Sequence, residues 1–535
     1  METTSGTGVE ATDAPATGDR TLALLLSAAM FVLVVDTSFM NVSISAVVED
    51  LNTTASGVQG TIALEALTSA ALILIGGKVA DLIGRKRAYL IGVSLYGVGA
   101  LSMVLANSLT LVIVCWAILG GLGASLLLPA MQALIHGNFT GAAQKKAYAM
   151  VGAAAAVAAA IGPLLGGFIT TYLSWRVGFA LEDVVIVVVL LSSGRIRDIA
   201  YTGPRGTDKV GAGLSVVGMG AVVLGILVWQ EGGDRVIALI ALGLVSLFAL
   251  ARWLVRRKRE GKPALLDPDL FKPKVFRYGI TGQMLQQIAL GGMMIALPIY
   301  LQMVLEYNAM EAGLSLAPLS LSMFAVALAA GRRGVKRRSS AVIRIGFVLL
   351  AVGIGALIPL VPRVTSGWYL AVPLAVAGCG LGLLVSQLNG YTLAPIEEER
   401  VSEAAGVNSA GGSFGLSFGL AFAGAIMLWT LSVSFTNMAN DSTVLAPDQK
   451  ALVSKTLEHD AQVMTETALT KQLAGQPQDV QDEVVQINTD ASHRALQVAL
   501  FVPFLAALLG LANSFRMLRE PEPKPSAAAE SMVLG

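Results

Sequence analysis

Fourteen apolar runs, separated by short polar intervals, make up most of this sequence. With a window of about 19 residues, they fall near 21–48, 57–80, 88–106, 109–135, 146–172, 177–194, 210–229, 236–255, 277–304, 309–330, 341–362, 369–394, 405–434 and 495–515. A helix needs about 20 apolar residues to cross the hydrocarbon core of a bilayer. The pattern therefore predicts an all-α polytopic membrane protein, whose segments are numbered here as spans 1 to 14. An even number of crossings puts both termini on one side. Basic, Gly/Pro-containing stretches at Arg195–Lys209 and Arg256–Lys274 flank spans 7 and 8. These stretches divide the chain into a tail (1–20), a six-helix bundle (21–194), two additional helices with basic linkers (195–275), a second six-helix bundle (276–516) and a disordered tail (517–535). A sizeable polar segment, 436–494, interrupts the second bundle. Leu452, Val453, Leu457, Val463, Leu469 and Leu473 are spaced there among charges, which predicts short amphipathic helices forming an external cap.

Composition removes the soluble alternatives. Of 535 residues, 55% are hydrophobic and 14% charged, with a mean hydropathy of +0.69. Counted as soluble domains are counted, the apolar share is about 64%, against ~45–50% for such a domain. A net charge of +1 leaves no electrostatic footprint for nucleic acid. Cys115 and Cys379 both sit in apolar runs, so neither a disulfide framework nor a metal site is expected, and no cofactor is implied. Met1–Asp19 holds no Lys or Arg, and the run from Thr21 is too long for a signal peptide, so it reads as a retained first span.

Cytoplasmic loops of membrane proteins are enriched in Lys and Arg. With the N-terminus inside, thirty of the 37 basic residues fall on the cytoplasmic side and seven outside; the opposite topology inverts that ratio. The bias puts both termini in the cytoplasm; the expectation is a multi-pass protein of a bacterial plasma membrane, with lipid as the surrounding partner.

The loop after span 2 reads Gly77-Lys78-Val79-Ala80-Asp81-Leu82-Ile83-Gly84-Arg85-Lys86-Arg87, with Leu90 beyond. It resembles the G-x-L-A-D-R-x-G-R-K-x-x-x-L signature of the major facilitator superfamily. Gly162-Pro163-Leu164-Leu165-Gly166-Gly167 in span 5 is similar to the G-P-x-x-G-G antiporter motif of that family's drug exporters. Asp36-Thr37-Ser38-Phe39-Met40-Asn41-Val42 in span 1 is similar to the D-x-T-x-x-N-V stretch of its fourteen-helix drug:proton antiporters. In span 4, Gly121-Leu122-Gly123-Ala124 with Pro129 resembles the G-x-G-A…P helix. The resemblance covers about 21–516 and implies two six-helix halves opening alternately around a central cavity. Gly77, Asp81, Gly84, Arg85 and Lys86 would then form a gating loop, in which a carboxylate pairs with basic residues and helix ends in one conformation and releases them in the other. A simple topology anchor is the plainer role for the same loop. Gly162, Pro163, Gly166 and Gly167 would allow close helix packing and a bend. Three departures stand out: Leu82 replaces the usual loop Arg, Ala117 occupies the position of the coupling Arg of span 4, and the second-half copy, Ala330-Gly331-Arg332-Arg333-Gly334, lacks an Asp.

Ionisable residues inside a span are costly, ~2.5–3.5 kcal/mol on insertion scales, and mark functional sites by default. Sorting the 36 acids by position leaves four within spans: Asp36, Glu65, Glu182 and Asp183. None has a Lys or Arg at its own depth in the sequence pattern. Each must be protonated, hydrated in a cavity, or paired with a bound cation, which is what exchanging a proton for a cationic substrate requires. Glu65 and Glu182 are the first candidates, because they replace residues usually uncharged in the fourteen-helix family. Asp36 suits a structural hydrogen bond equally well. Adjacent Glu182 and Asp183 point about 100° apart on a helix, so one of them faces the cavity, and Asp183 can instead snorkel to Arg176. Gln283, Gln287 and Met294 in span 9, Asn389 in span 12 and Asn408 in span 13 are cavity candidates, as amide and flexible thioether groups suit promiscuous binding. Packing and helix-to-helix hydrogen bonds explain them too.

These features predict a monomeric, proton-driven exporter of amphipathic small molecules, cationic or neutral. A dedicated exporter or symporter of one endogenous metabolite or lipid, and a non-transporting receptor or scaffold, remain as alternatives. Scattered histidines and the lack of a nucleotide-binding glycine-lysine motif argue against an enzyme.

Overall fold

The computed structural model describes residues 20–139, 141–196, 198, 208–230, 235–332, 338–364, 366–397, 400–445, 450 and 466–521. Within them, 14 helices are long and apolar enough to cross a membrane. Spans 1 to 6 are Arg20–Val42, Ala55–Ile83, Arg85–Leu105, Leu109–Asn138, Lys146–Tyr172 and Trp175–Arg195. Spans 7 and 8 are Lys209–Trp229 and Val236–Arg259. Spans 9 to 14 are Lys274–Val304, Ala309–Ala330, Ser339–Arg363, Gly367–Leu393, Glu403–Asp441 and Gln478–Arg519. The predicted all-helical architecture is therefore present. Helices are the natural solution here, because each satisfies its backbone polar groups within itself. Short hydroxyl and carboxylate side chains start them: Thr54 accepts from the Gly57 N–H at 3.0 Å, and Asp208 from the Gly211 N–H at 2.9 Å.

Spans 1 to 6 pack as one bundle and spans 9 to 14 as another, with span 2 against span 13 and span 5 against span 10 at the seam. Span 7 lies against spans 2 and 13, and span 8 packs mainly on span 7. Trp229 of span 7 meets Phe422 of span 13 with ring centroids 6.3 Å apart. One carboxylate, Asp208, ties the pair to its linkers by accepting from Trp253 Nε1 at 2.9 Å and from the Leu265 N–H at 3.1 Å. Asp267 in the following loop pairs with Lys258 at 2.6 Å and Arg400 at 2.9 Å, while its N–H donates to Glu403 at 2.7 Å. Burial opposes ionisation of Asp267, but Lys258, the Asp269 N–H and Arg400 together hold its carboxyl below the usual carboxylate range.

The ends of spans 2, 6, 8 and 10 carry the basic loops and are called the basic face below; the opposite end is the cap face. Within the polar segment at the cap face, the expected short separate helices are represented among the described residues by Glu466–Gln472, which carries Leu469. Span 13 continues unbroken to Asp441 and span 14 begins at Gln478, so both ends of the segment are continuations of membrane helices. Span 14 has 42 residues, about 63 Å at 1.5 Å per residue. Extending an existing helix costs far less than nucleating a new one. Its extension also buries a stripe, Val480, Val484, Ile487 and Ala491. Only Glu466–Gln472 forms a short separate helix there among the described residues, tied down where Glu306 accepts from the Thr467 N–H at 2.8 Å and its hydroxyl at 2.7 Å. Leu452, Val453, Leu457 and Val463, residues 1–19 and 522–535, and Arg333 and Gly334 of the second-half loop lie outside the described residues.

Candidate functional site

Three carboxylates from different helices converge inside the first bundle. Asp36 of span 1 is 1% exposed. Tyr96 of span 3 donates its hydroxyl proton to one carboxylate oxygen, and Trp116 Nε1 of span 4 donates to both at 3.1 and 3.3 Å. Glu182 of span 6 is buried, with Oε2 unpartnered among the described residues. Glu65 of span 2 is half-buried. Asp36 acts through its charge on both Glu65 and Glu182, and Tyr96 lies within electrostatic reach of all three. No Lys, Arg or His takes part in the interactions described for these carboxylates.

Packing explains why the acids meet. Phe179 of span 6 is fully buried and makes edge-on contacts with Phe39 at 5.4 Å, Trp175 at 6.1 Å and Trp116 at 6.5 Å between centroids. Asp36 lies three residues before Phe39 and Glu182 three residues after Phe179, so each acid shares a helix face with an aromatic of this cluster. Span 4 is π-helical from Val112 to Gly120, a form that recurs at functional sites. That stretch carries both Trp116 and Ala117. Ala117 is fully buried, so the place of the expected Arg is taken up by packing, while two neutral donors, Tyr96 and Trp116, hold Asp36 instead. An apolar cleft beside the cluster is lined by Val32, Val93, Tyr96, Leu127 and Ile186, among others.

Asp183, next to Glu182 in the chain, acts on it through its charge. It is half-buried beside Gly97 of span 3. The alternative of Asp183 reaching Arg176 is corrected by the structure. Arg176 pairs with Asp50, donates to the Ala106 carbonyl at 2.5 Å and lies 4.4 Å from the Trp175 ring centroid, which engages its guanidinium at the cap face.

In the second bundle, Asn408 Nδ2 donates to Asn389 Oδ1 at 3.1 Å, leaving Asn408 Oδ1 unpartnered among the described residues. Gln283 and Gln287 both lie against Gly412, one turn beyond Asn408 on span 13. Four of the five cavity candidates thus gather around one face of span 13. Met294 is half-buried two turns beyond Gln287 on span 9.

The span 2–3 loop forms a compact turn. Asp81 pairs with Arg85 at 3.7 Å, and the Lys86 N–H donates to Asp198, beyond span 6, at 3.1 Å. Gly77 faces Pro129 of span 4. Gly84 has φ +99° and ψ 136°, a region open essentially to Gly, and a Cβ there would stand 2.9 Å from the Asp198 carboxylate. Gly84→Ala is expected to cost about 1–3 kcal/mol, read as a lowered unfolding temperature of the purified protein in detergent. An unchanged value would show that the turn relaxes.

In span 5, Gly162 faces Ser38 and Val35 of span 1, and Gly166 faces Phe39 and Val42. Gly167 instead touches the backbone of Ala309 and Met310 of span 10 across the seam, and the Pro163 carbonyl meets Gly313. The motif therefore packs span 5 against its own bundle on one face and against the other half on the next. Among the described residues, hydrogen bonds join the halves at mid-depth and toward the cap face: Ser417 to the Ala63 carbonyl at 2.8 Å, the Met310 N–H to Thr171 at 2.9 Å, and Gln302 to Asn41 and Ser45. Tyr96, Trp116 and Gln302 gave no signal in the sequence, since an aromatic or amide within an apolar run is ordinary.

The family model described as Major Facilitator Superfamily matches residues 26–420. The probable actinorhodin transporter of Streptomyces coelicolor is 25% identical over 442 residues, covering 79% of this chain and 75% of that one. The puromycin resistance protein of Streptomyces alboniger is 30% identical over 406 residues, covering 74% and 80%. The multidrug resistance protein Stp of Mycobacterium tuberculosis is 26% identical over 407 residues, covering 76% and 75%. A solved bacterial homolog of the human lysosomal transporter Spinster has the same fold, with a TM-score of 0.59 over 95% of this chain and 98% of that one, at 12% identity. With two six-helix bundles, two further spans between them and a model match across both halves, the chain belongs to the Major Facilitator Superfamily, a family of membrane transporters.

Proposed function

We propose that this transporter exports amphipathic small molecules, cationic or neutral, across the bacterial plasma membrane in exchange for protons, with its basic face and both termini in the cytoplasm. The observation that carries the reading is the cluster of Asp36, Glu65 and Glu182 around Tyr96, which has no basic residue among its described interactions. Glu182, buried like Asp36, and half-buried Glu65 lie within reach of the Asp36 charge, and the three oppose one another when ionised, so a positive charge must arrive from outside the protein. A proton and a cationic substrate both supply it, and each excludes the other. Exchange follows from that competition. The amides around span 13 offer an amphipathic substrate uncharged polar contacts. Asp81, Gly84, Arg85, Lys86 and Asp198 hold spans 2, 3 and 6 at the basic face and act as the gating loop.

Relatives are named both for one compound and for many, so dedicated export of a single product is the second reading. Everted vesicles with an imposed pH gradient test the first: adding a transported cationic dye is expected to release protons from the lumen, and release absent during measurable dye uptake would rule out antiport. A growth screen of a hypersensitive strain against a broad toxic-compound panel separates the readings, because a dedicated exporter protects against one chemical class.

A further inference from the structure

Span 1 does not run unbroken to its cap-face end. Its helix stops at Val42 and resumes as Ile44–Asp50, with Ser43 between them at φ −101° and ψ 4°. In a continuous α-helix the Ser45 N–H would donate to the Asn41 carbonyl, four residues earlier. The side-chain amide of Gln302 stands between these two groups. It comes from the other half, on the π-helical end of span 9 (Tyr300–Val304), one turn of chain after Pro298 has removed a backbone donor. Its Oε1 accepts from the Ser45 N–H at 3.0 Å and from the Ser45 hydroxyl at 2.9 Å, while its Nε2 donates to the Asn41 carbonyl at 3.2 Å. Gln302 is 2% exposed. A primary amide offers the same donor and acceptor as a peptide group, so it can splice into a helix by answering both sides of one missing bond.

We propose that Gln302 is the latch of the cap-face gate and the residue that couples gate closure to the carboxylate cluster. With the halves together, Gln302 satisfies the two backbone groups and the break in span 1 is stable. When the halves part on this face, Gln302 withdraws, and Asn41 and Ser45 are left to bond to each other, making span 1 continuous. Buried backbone groups without partners are costly in a membrane, so the two arrangements are alternatives with little between them. Asp36 lies five residues before Asn41 on the same helix. Straightening the helix at 41–45 re-aims it against Tyr96 and Trp116, the two donors that hold Asp36. Gln302 touches no carboxylate of the cluster and acts through span 1, as a positioning residue. The inference rests on the exchange reading only in taking the halves to part at this face during the cycle.

The test reads the gate directly. In full-length protein with Cys115→Ser and Cys379→Ser, spin labels are placed at Asn107→Cys, exposed between spans 3 and 4, and Arg363→Cys, exposed at the cap end of span 11. Pulsed electron resonance then gives the distance distribution across the gate. Gln302→Leu is expected to raise the long-distance population by about threefold or more. Adding Ser45→Pro to that variant should return the distribution toward the parent's. Proline lacks the N–H and its ring clashes with the carbonyl of Asn41 in a continuous helix, so the straightened span is no longer available. One substitution reversing another at the same contact is not what a loss of packing produces. A parent-like distribution for Gln302→Leu, or an open distribution retained in the double variant, overturns the proposal. If Gln302→Leu fails to fold, Gln302→Asn replaces it: its amide is one methylene too short to bridge Asn41 and Ser45, and the same shift is expected. Neither substrate nor a proton gradient is needed, so failure of antiport in vesicles and failure of the latch are separately visible.

Discussion

Glu65→Gln combined with Glu182→Gln is expected to abolish gradient-driven export of a cationic dye, by about tenfold or more, while the protein still inserts and purifies. A tenfold loss corresponds to about 1.4 kcal/mol, small beside what a buried carboxylate contributes to neutralising a cation at low dielectric. Among the described residues neither Glu65 nor Glu182 has a hydrogen-bond partner for its carboxylate, so glutamine keeps the shape and removes only the charge and the titrating proton. Each single substitution should leave part of the activity, since the remaining carboxylate still competes between proton and substrate. Asp36→Asn is less clean. Asp36 accepts from both Tyr96 and Trp116, and an amide offers one acceptor atom where the carboxylate offers two, so that variant loses stability as well as function. Dye transport together with unfolding temperature separates the two effects. Wild-type export by the double variant would dissociate the carboxylates from coupling and leave the family membership untouched.

Gly167→Val is the second large effect. A Cβ at Gly167 would stand 2.6 Å from the Ala309 carbonyl oxygen and 2.9 Å from the Met310 Cα. Both are backbone atoms of the other half and cannot rotate aside as a side chain does. Overpacking of this kind costs about 1–3 kcal/mol, and here the strain is relieved by parting the seam where the Met310 N–H meets Thr171. Transport should fall by about tenfold or more, since a gate that cannot close on the cap face lets the cycle fail; the corresponding shift of the equilibrium is about 1.4 kcal/mol. Gly406→Ala is the matching control: nothing lies within 4 Å of its added Cβ, and in a helix the change is neutral or stabilises by up to about 1 kcal/mol. Full activity in Gly167→Val would mean that the seam tolerates separation at that depth.

Much of the frame was legible because the bilayer imposes a simple rule on the chain. Apolar runs of spanning length gave the fourteen helices, and the scarcity of charge reduced the acids to four candidates. The motifs of spans 1, 2, 4 and 5 anticipated where small residues bring helices together, and Gly162, Gly166 and Gly167 do so. The length of spans 13 and 14 was not legible, because a polar helix that packs on its neighbour looks locally like a solvated segment. The pairing of Arg176 with Asp50 was not legible either, because distance along one helix says nothing of Asp50, which the turn after span 1 brings to the same corner.

By itself the sequence determined that the chain crosses a membrane, how often, and which few charges the apolar interior must accommodate, because these depend on local hydrophobicity, which a bilayer reads residue by residue. Only the tertiary structure decided that Asp36 is held by Tyr96 and Trp116, that Glu65 and Glu182 stand within reach of its charge, and that Gln302 enters the backbone of span 1. Those partners are separated by dozens to hundreds of residues. Inside a bilayer hydrophobicity does not distinguish one helix neighbour from another, so pairing is set by the fit of small residues and by hydrogen bonds, and that fit exists only once the helices are packed.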